Sequence, residues 1–227
     1  MILDPLYFLI IAPAVLLGLW AQFRIKSTYA VAQQTPASLS GAAAARHILD
    51  SAGLQNVDIE QVPGHLTDHY DPRRKVLGLS PEVYQTRSMA AVGIAAHEAG
   101  HAIQDAERYA PLVVRNAAVP IAGFGSNIGL LLLMIGVIMQ QAPFLLLGII
   151  LFAGVVVFQL VNLPVEFDAS NRAKALLVSH GIVHEQEMSY VNKVLNAAAL
   201  TYVAATLQAV LTLVYYLIRY SAMRRDD

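Results

Sequence analysis

Two histidines four residues apart are the part of this sequence best suited to chemistry. They lie in His97-Glu98-Ala99-Gly100-His101, within a run of helical periodicity. Residues four apart share one face of a helix, so both imidazoles can reach one metal ion. Glu98 is then placed to reach a metal-bound water rather than the metal. This pattern is typical of zinc peptidases, in which the glutamate is the general base. The alternative is a pair of half-buried histidines on an apolar helix.

Glu166 is the candidate for a third metal ligand. It follows a long apolar segment, and Pro164 just before it is suited to the first turn of a new helix. A carboxylate on a second helix would complete a His₂Glu zinc site with its fourth position open for water. The alternative is a carboxylate stabilised by a helix dipole. The sequence has no cysteine, which excludes thiolate ligands and disulfides.

Long stretches without charge indicate a membrane protein. Residues 5–23, 116–165 and 194–218 contain no Asp, Glu, Lys or Arg. A bilayer-spanning helix needs about 20 apolar residues, so the first and last stretches each hold one span. The middle stretch fits two spans, Val119–Met139 and Phe144–Leu163, divided by Gln140-Gln141-Ala142-Pro143. The net charge of −1 gives no reason to expect nucleic-acid binding.

The segment between the first and second spans has the pattern of a small α/β unit. Helical periodicity covers Ser38 to Leu54, alternation over Val57–Val62 predicts a strand, and Lys75–Leu79 predicts a second strand. Ser80-Pro81 marks a helix start, and the motif helix is expected from about Ser88 to Arg108. The second strand is either an edge that can pair with an extended peptide or an ordinary inner strand.

These patterns predict a mainly α membrane protein with about four transmembrane helices and a small α/β catalytic domain inserted between the first and second. The predicted division is a transmembrane anchor at 5–23, the α/β catalytic region at 24–116, a transmembrane hairpin at 117–163, a helical segment with the third ligand at 164–193, a transmembrane helix at 194–218 and a tail at 219–227. The start of the chain has no basic n-region and no cleavage site, so the first span is expected to remain as an anchor.

The basic residues predict which side of the membrane the motif faces. Nine of the fifteen lysines and arginines lie in the region 24–116, and three more lie in 164–193. The hairpin places these two regions on one side, which the positive-inside rule makes cytoplasmic. Three arginines in the tail oppose this assignment and leave the side of the C-terminus open. The apolar run Met89–Ile103 has fifteen residues, too few to span, so the site is expected at the membrane surface.

Several motifs together resemble a known family over nearly the whole chain. They are Asp68-His69-Tyr70-Asp71-Pro72, Leu79-Ser80-Pro81-Glu82-Val83-Tyr84, the stretch from Ala95 to Gln104 around the two histidines, Glu166-Phe167-Asp168-Ala169-Ser170, and Ala198-Ala199-Leu200-Thr201-Tyr202-Val203-Ala204-Ala205. The chain resembles the bacterial neutral zinc metallopeptidase family of the YugP type and is more distantly similar to membrane metalloproteases of the HtpX and CAAX-prenyl type. The resemblance implies a zincin-like, gluzincin-like site with Glu166 as zinc ligand.

The distant relatives differ from this chain at one informative position. They carry Glu-x-x-x-Asp, in which the aspartate orients a ligand histidine, whereas position 170 is serine here. The residue that orients a zinc-bound imidazole is therefore open, with Asp168, Ser170 and Asn171 as candidates.

The group that stabilises the oxyanion of the reaction is also open. The candidates are His69, Tyr70, His184 and Tyr202. His65 and His69 also have i,i+4 spacing, but Gly64 and a charged loop disfavour a helix there, so we expect surface histidines. Gly123, Gly125 and Gly129 in the second span predict close helix packing.

The function that follows is a zinc metalloendopeptidase of the bacterial cell membrane. Zn²⁺ would be held by His97, His101 and Glu166 and would activate a water, with Glu98 as general base. The expected substrates are peptides or proteins, membrane-proximal or partly unfolded, and the chain is expected to contact the lipid bilayer. The alternative is a non-catalytic zinc-binding membrane scaffold or sensor. The oligomeric state is not predicted.

Overall fold

A computed structural model describes residues 4–226, which form eight α-helices, one π-helical turn and one three-stranded sheet. The last residue of the predicted tail lies outside the described residues. The helices are α1 Pro5–Gln34, α2 Gly41–Ser51, α3 Pro81–Gln85, α4 Met89–Ala106, α5 Ala110–Phe124, α6 Leu130–Ile138, α7 Ala142–Ser179 and α8 Met188–Asp226, with the π-helical turn Gly125–Gly129 between α5 and α6. The strands are β1 Asp58–Gln61, β2 His69–Asp71 and β3 Val76–Leu79.

Four helical segments are long and apolar enough to cross a membrane. They are Pro5–Gln34, Ala110–Ile138, Ala142–Ser179 and Met188–Arg225. The second comprises α5, the π-helical turn and α6 without a break. The prediction of a mainly helical protein with four such helices is confirmed. Each segment extends beyond the roughly 20 residues that a bilayer core requires.

The expected helix start at Pro164 is wrong. The helix α7 runs from Ala142 to Ser179 and contains Pro164 in its interior, so Glu166 belongs to the same helix as the third apolar stretch. Proline is tolerated inside helices of membrane proteins because neighbouring helices, side chains and small local adjustments satisfy the backbone groups that it leaves unbonded. A proline followed by good helix formers occurs both where a helix starts and where a helix continues, so this pattern does not distinguish the two.

The described chain separates into two compact units. The first unit combines the start of α1 with residues 113–164 and the chain from residue 200 onward. Its buried cluster is Leu133, Leu145, Ile149, Phe152, Val156 and Ala209. Gly125 and Gly129 lie where an added Cβ would press on α7, against the Leu151 carbonyl and the Leu151 side chain, which confirms close packing there. Gly123 has open space around it, so the packing prediction is wrong for that residue.

The second unit contains the sheet and the motif helix. It comprises Gln22–Leu112 and Val165–Ala199. The strand β3 lies in the centre of the sheet, parallel to β1 in the register Asp58↔Val76 and antiparallel to β2 in the register His69↔Gly78. Both edges of β3 are therefore occupied. The inner-strand interpretation is confirmed and the free-edge interpretation is wrong, because the three-residue strand β2 covers that edge.

The motif helix α4 is fixed at its start and along its length. Ser88 caps it by accepting a hydrogen bond from the Ala91 N–H, and its hydroxyl donates to Gln33 Oε1. The helix packs on α2, α3, β2 and β3. Large side chains buried around it include Ile48, Leu49, Leu77, Leu79, Val83 and Met89. The packing of this core fixes the position of the helix that carries the two histidines.

Candidate metal centre

His97, His101 and Glu166 meet in the second unit. Nε2 of His97 lies 3.3 Å from Oε2 of Glu166, and Nε2 of His101 lies 3.7 Å from the same oxygen. The two imidazole rings meet edge to face with centroids 4.7 Å apart. His101 and Glu166 are buried, and His97 is half-buried. The three candidate ligands thus offer two nitrogens and one oxygen, all within 4.8 Å of one another.

The donor atoms fit a zinc ion. Buried carboxylates are stable only when paired or bound to a metal, and Oε2 of Glu166 is buried without a hydrogen-bond partner. Zinc bonds of about 2.0–2.2 Å in a tetrahedron separate neighbouring ligand atoms by about 3.3–3.6 Å. The two nitrogen–oxygen distances at Glu166 are close to that range. The orphaned oxygen and its distances therefore match what a small divalent cation requires.

His101 lies in a negative environment. Burial opposes protonation of its ring, but the adjacent Glu166 carboxylate and the charge of Glu98 outweigh that effect and raise the pKa of His101 above its usual value. Glu98 itself is half-buried on α4, next to His97. Its carboxylate is thus close enough to His101 to act on that ring electrostatically.

Ser170 contacts the first histidine. Its Oγ lies 3.1 Å from Nδ1 of His97, the ring nitrogen on the opposite side from Glu166. Ser170 lies one helical turn after Glu166 on α7 and is buried. Of the three candidates for orienting an imidazole, Ser170 is the one that touches His97.

Gln104 contacts the second histidine, and sequence reasoning did not single it out. Its Oε1 lies 3.0 Å from Nδ1 of His101, while its Nε2 donates to Asp168 Oδ2 at 2.8 Å. Asp168 therefore reaches the site through Gln104, and Arg172 Nε donates to the same aspartate oxygen. Asn171 is exposed. The sequence feature that could have identified Gln104 is its spacing, because a residue three positions after His101 lies on the same helix face.

A close approach of two helices brings the ligands together. A Cβ on Gly100 would lie 2.8 Å from the carbonyl oxygen of Ala169, so α4 and α7 approach with only a glycine between them. Gly100 is next to His101, and Ala169 is next to Ser170. The glycine inside the motif therefore permits the spacing at which Glu166 meets both histidines.

The four oxyanion candidates lie in different places. The Tyr70 hydroxyl donates to Asp105 Oδ2 at 2.9 Å, and Lys75 Nζ donates to the same oxygen at 2.6 Å. Burial and the Asp105 carboxylate raise the pKa of Tyr70, so it stays a donor. His69 is adjacent to Tyr70 on β2, so its side chain points to the opposite face of the sheet.

The other two candidates lie on or next to α8. His184 is exposed and lies four residues before the first residue of that helix, and Tyr202 is half-buried within it, in the first unit. His69, Tyr70 and His184 are not among the hydrogen-bonding partners of the triad in the described chain.

The His65/His69 pair lies on the surface, as expected. Nδ1 of the exposed His65 lies 3.0 Å from Glu82 Oε2, and Nδ1 of His69 lies 2.9 Å from the Thr67 carbonyl oxygen. Within residues 4–226, the triad is the group of three or more side chains positioned to share a metal.

Comparisons with known proteins identify the family of the chain. A family model described as "Putative neutral zinc metallopeptidase" matches residues 7–221. The chain is 48% identical over 211 residues to a Bacillus subtilis (strain 168) protein named "Putative membrane protease YugP", which covers 92% of this chain and 93% of that protein. No solved structure matches the chain.

Proposed function

The chain belongs to this neutral zinc metallopeptidase family, and from that premise we propose that it is a membrane-anchored zinc metalloendopeptidase that hydrolyses peptide bonds. The observation that carries the proposal is the buried Glu166 oxygen, unpartnered by hydrogen bonds and facing Nε2 of two histidines on the motif helix. Without a cation, protonated imidazoles at 3.3 and 3.7 Å are the groups that could offset the charge of this oxygen, whereas a bound divalent ion would pair with it directly.

His97, His101 and Glu166 are the residues that would hold zinc. When bound, the ion supplies Lewis acidity that activates a water and polarises a carbonyl. Three protein ligands with an open fourth position are the usual set of a catalytic zinc site, whereas structural sites usually have four. The three-membered group among the described residues therefore favours the enzyme over the zinc-binding scaffold or sensor.

Glu98 is the proposed general base. It accepts a proton from the attacking water while the water oxygen bonds to the scissile carbonyl carbon, and it later delivers that proton to the departing amine nitrogen. Its half-buried position on α4 beside His97 supports this role. Ser170 and Gln104 keep the two imidazoles in place while the proton moves.

We also propose where the reaction takes place. The regions 24–116 and 164–193 would form a zincin-like catalytic domain, with residues 5–23, 117–163 and 194–218 as the membrane part and 219–227 as a tail. Glu166 follows the apolar stretch of its own helix within three residues of Leu163, which supports a site at the membrane surface. Membrane-proximal or partly unfolded protein segments are the substrates that such a position would select. The excess of lysine and arginine supports a cytoplasmic-facing site in the bacterial cell membrane.

The test is peptide cleavage by the zinc-loaded protein in detergent. Wild type and Glu98→Gln are compared on casein and a peptide library, with zinc content measured in parallel. We expect one zinc per chain in both and a loss of at least about 100-fold in cleavage for Glu98→Gln, since general bases contribute about 10²–10⁴-fold. Glu185→Gln, at an exposed acid on a loop, is the matched control and should keep full activity.

Two results would contradict the proposal. One is Glu98→Gln cleaving as fast as wild type while it holds zinc. The other is zinc binding without cleavage of any substrate by wild type, which would support the scaffold or sensor instead.

A further inference from the structure

Gln104 is a fully buried polar side chain with three partners. It has no solvent exposure and lies on α4, one turn after His101. Its Nε2 donates to the Val165 carbonyl oxygen at 2.8 Å and to Asp168 Oδ2 at 2.8 Å, and its Oε1 faces His101 Nδ1 at 3.0 Å. An amide in the protein interior with every polar atom engaged is a rigid connector, because breaking any contact leaves a buried group unsatisfied.

The partners of Gln104 determine which way its amide points. A backbone carbonyl oxygen only accepts hydrogen bonds, and Asp168 Oδ2 already accepts from Arg172 Nε at 2.6 Å. The NH₂ group must therefore face these two acceptors. The amide oxygen is left to face His101, and it can only accept. Nδ1 of His101 consequently carries a proton, and in the neutral ring that binds a metal the lone pair is then on Nε2, on the side of Glu166.

The other two contacts of Gln104 hold the third ligand. Val165 immediately precedes Glu166 on α7, and Asp168 follows it by two residues. By binding both, Gln104 fixes the turn of α7 that carries the carboxylate. The close approach of Gly100 to Ala169 brings that turn within reach. Gln104 thus contacts one proposed ligand, His101, directly and the two residues that flank a second one, Glu166.

We propose that Gln104 is a positioning residue of the zinc site, which fixes the ring tautomer of His101 and holds Glu166 at the distance that a zinc ion requires. The inference rests on the proposed function, since it takes the triad to be a zinc site. Ser170 acts on His97 alone, whereas Gln104 acts on His101 and Glu166 together. Loss of Gln104 should therefore weaken zinc binding even though the residue is not a ligand.

The test compares zinc affinity in Gln104→Met and in Gln85→Met. Methionine fills a similar volume but neither donates nor accepts well at these positions. Gln85 is the control, since it is an exposed residue at the end of α3 whose amide donates to Gln61 Oε1 on β1. Zinc dissociation constants are measured by chelator competition in detergent, and Co²⁺ absorption reports the ligand geometry. We expect Gln104→Met to weaken zinc binding by about 10–100-fold and alter the Co²⁺ spectrum, and Gln85→Met to change neither.

If the Gln104→Met protein does not fold, a second measurement, made on the wild type, tests the same inference. In wild type labelled with ¹⁵N-histidine and loaded with zinc, NMR should show the proton of His101 on Nδ1. A His101 that carries its proton on Nε2, or a folded Gln104→Met with wild-type zinc affinity, would overturn the inference. Neither result would affect the proposed function. The proposed function fails separately if the wild type binds no zinc or cleaves no substrate. If the wild type binds no zinc, this inference fails as well.

Discussion

At the scale of single residues, the first histidine depends on a hydroxyl group. Ser170 lies four residues after Glu166, and its Oγ lies 3.1 Å from His97 Nδ1. A hydroxyl is a weaker hydrogen-bond acceptor than a carboxylate, but it still fixes the ring. Ser170 thus gives His97 a hydrogen-bonding contact on the side of the ring away from Glu166.

Replacing that hydroxyl should weaken the metal site without unfolding it. In Ser170→Ala, Nδ1–H of His97 loses its acceptor, and we expect zinc affinity to fall by about tenfold, the low end of the range for partners of zinc-bound histidines. The control is Ser179→Ala, an exposed serine on the same helix whose hydroxyl donates to the Leu176 carbonyl. Chelator competition measures both variants. Equal zinc affinity in Ser170→Ala and wild type would show that the serine does not orient the ring.

Some of these residues were predictable from spacing and others were not. The two histidines share a helix face by periodicity alone, and Glu166 was chosen because it follows an uncharged stretch. Spacing places Gln104 on the same face of α4 as His101, but its contacts with Val165 and Asp168 join two helices, and residue spacing within one helix does not report those contacts. Asn171 was a candidate by proximity, but it lies about 100° around the helix from Ser170 and faces solvent.

At the scale of elements, the crossing of α4 and α7 determines whether the three candidate ligands meet. Gly100 faces the Ala169 backbone, which cannot move aside as a side chain can. Gly93, two turns earlier on α4, faces the Val191 side chain, whose Cγ1 would lie 3.1 Å from an added Cβ. An alanine at position 100 would therefore press on backbone, whereas an alanine at position 93 would press on a side chain that can rotate away.

Gly100→Ala should consequently cost stability and zinc affinity, whereas Gly93→Ala should cost little. Overpacking typically costs about 1–3 kcal/mol, against which alanine gains up to about 1 kcal/mol of helix propensity. We expect Gly100→Ala to be less stable than Gly93→Ala by about 1–2 kcal/mol in thermal unfolding in detergent. Zinc binding should weaken in Gly100→Ala alone. Matching losses in the two variants would mean that the crossing at Gly100 is not specific to the site.

The elements themselves were predicted where their patterns were long. The helix α2, the strands β1 and β3 and the motif helix α4 all lie where periodicity placed them. The strand β2 was missed because its three residues are too short for alternation to be visible. That omission led to the wrong free-edge interpretation of β3. Pro164 was read as a helix start because the local sequence does not record how strongly the surroundings of a helix enforce its continuation.

At the scale of the whole molecule, the distribution of charge accounts for most of the architecture. Three uncharged stretches predicted four long apolar helices, and the structure contains them. The two compact units were less accessible to sequence reasoning, because each combines segments far apart in the chain. Contacts between distant segments depend on side-chain shape, as at Gly100 and Ala169, and hydropathy does not encode shape.

The side of the membrane on which the site lies can be tested with introduced cysteines, since the chain has none of its own. Asn56 and Gln141 are both exposed, the first next to β1 and the second between α6 and α7. The excess of basic residues in 24–116 predicts that Asn56→Cys faces the cytoplasm and Gln141→Cys the outside, because one span separates their segments. In intact cells, a membrane-impermeant maleimide should label Gln141→Cys at once and Asn56→Cys only after permeabilisation. Labelling of both after permeabilisation controls for reactivity. The reverse pattern would place the metal centre outside, where its substrates would be extracytoplasmic, and would show that the tail arginines outweigh the nine basic residues of that region.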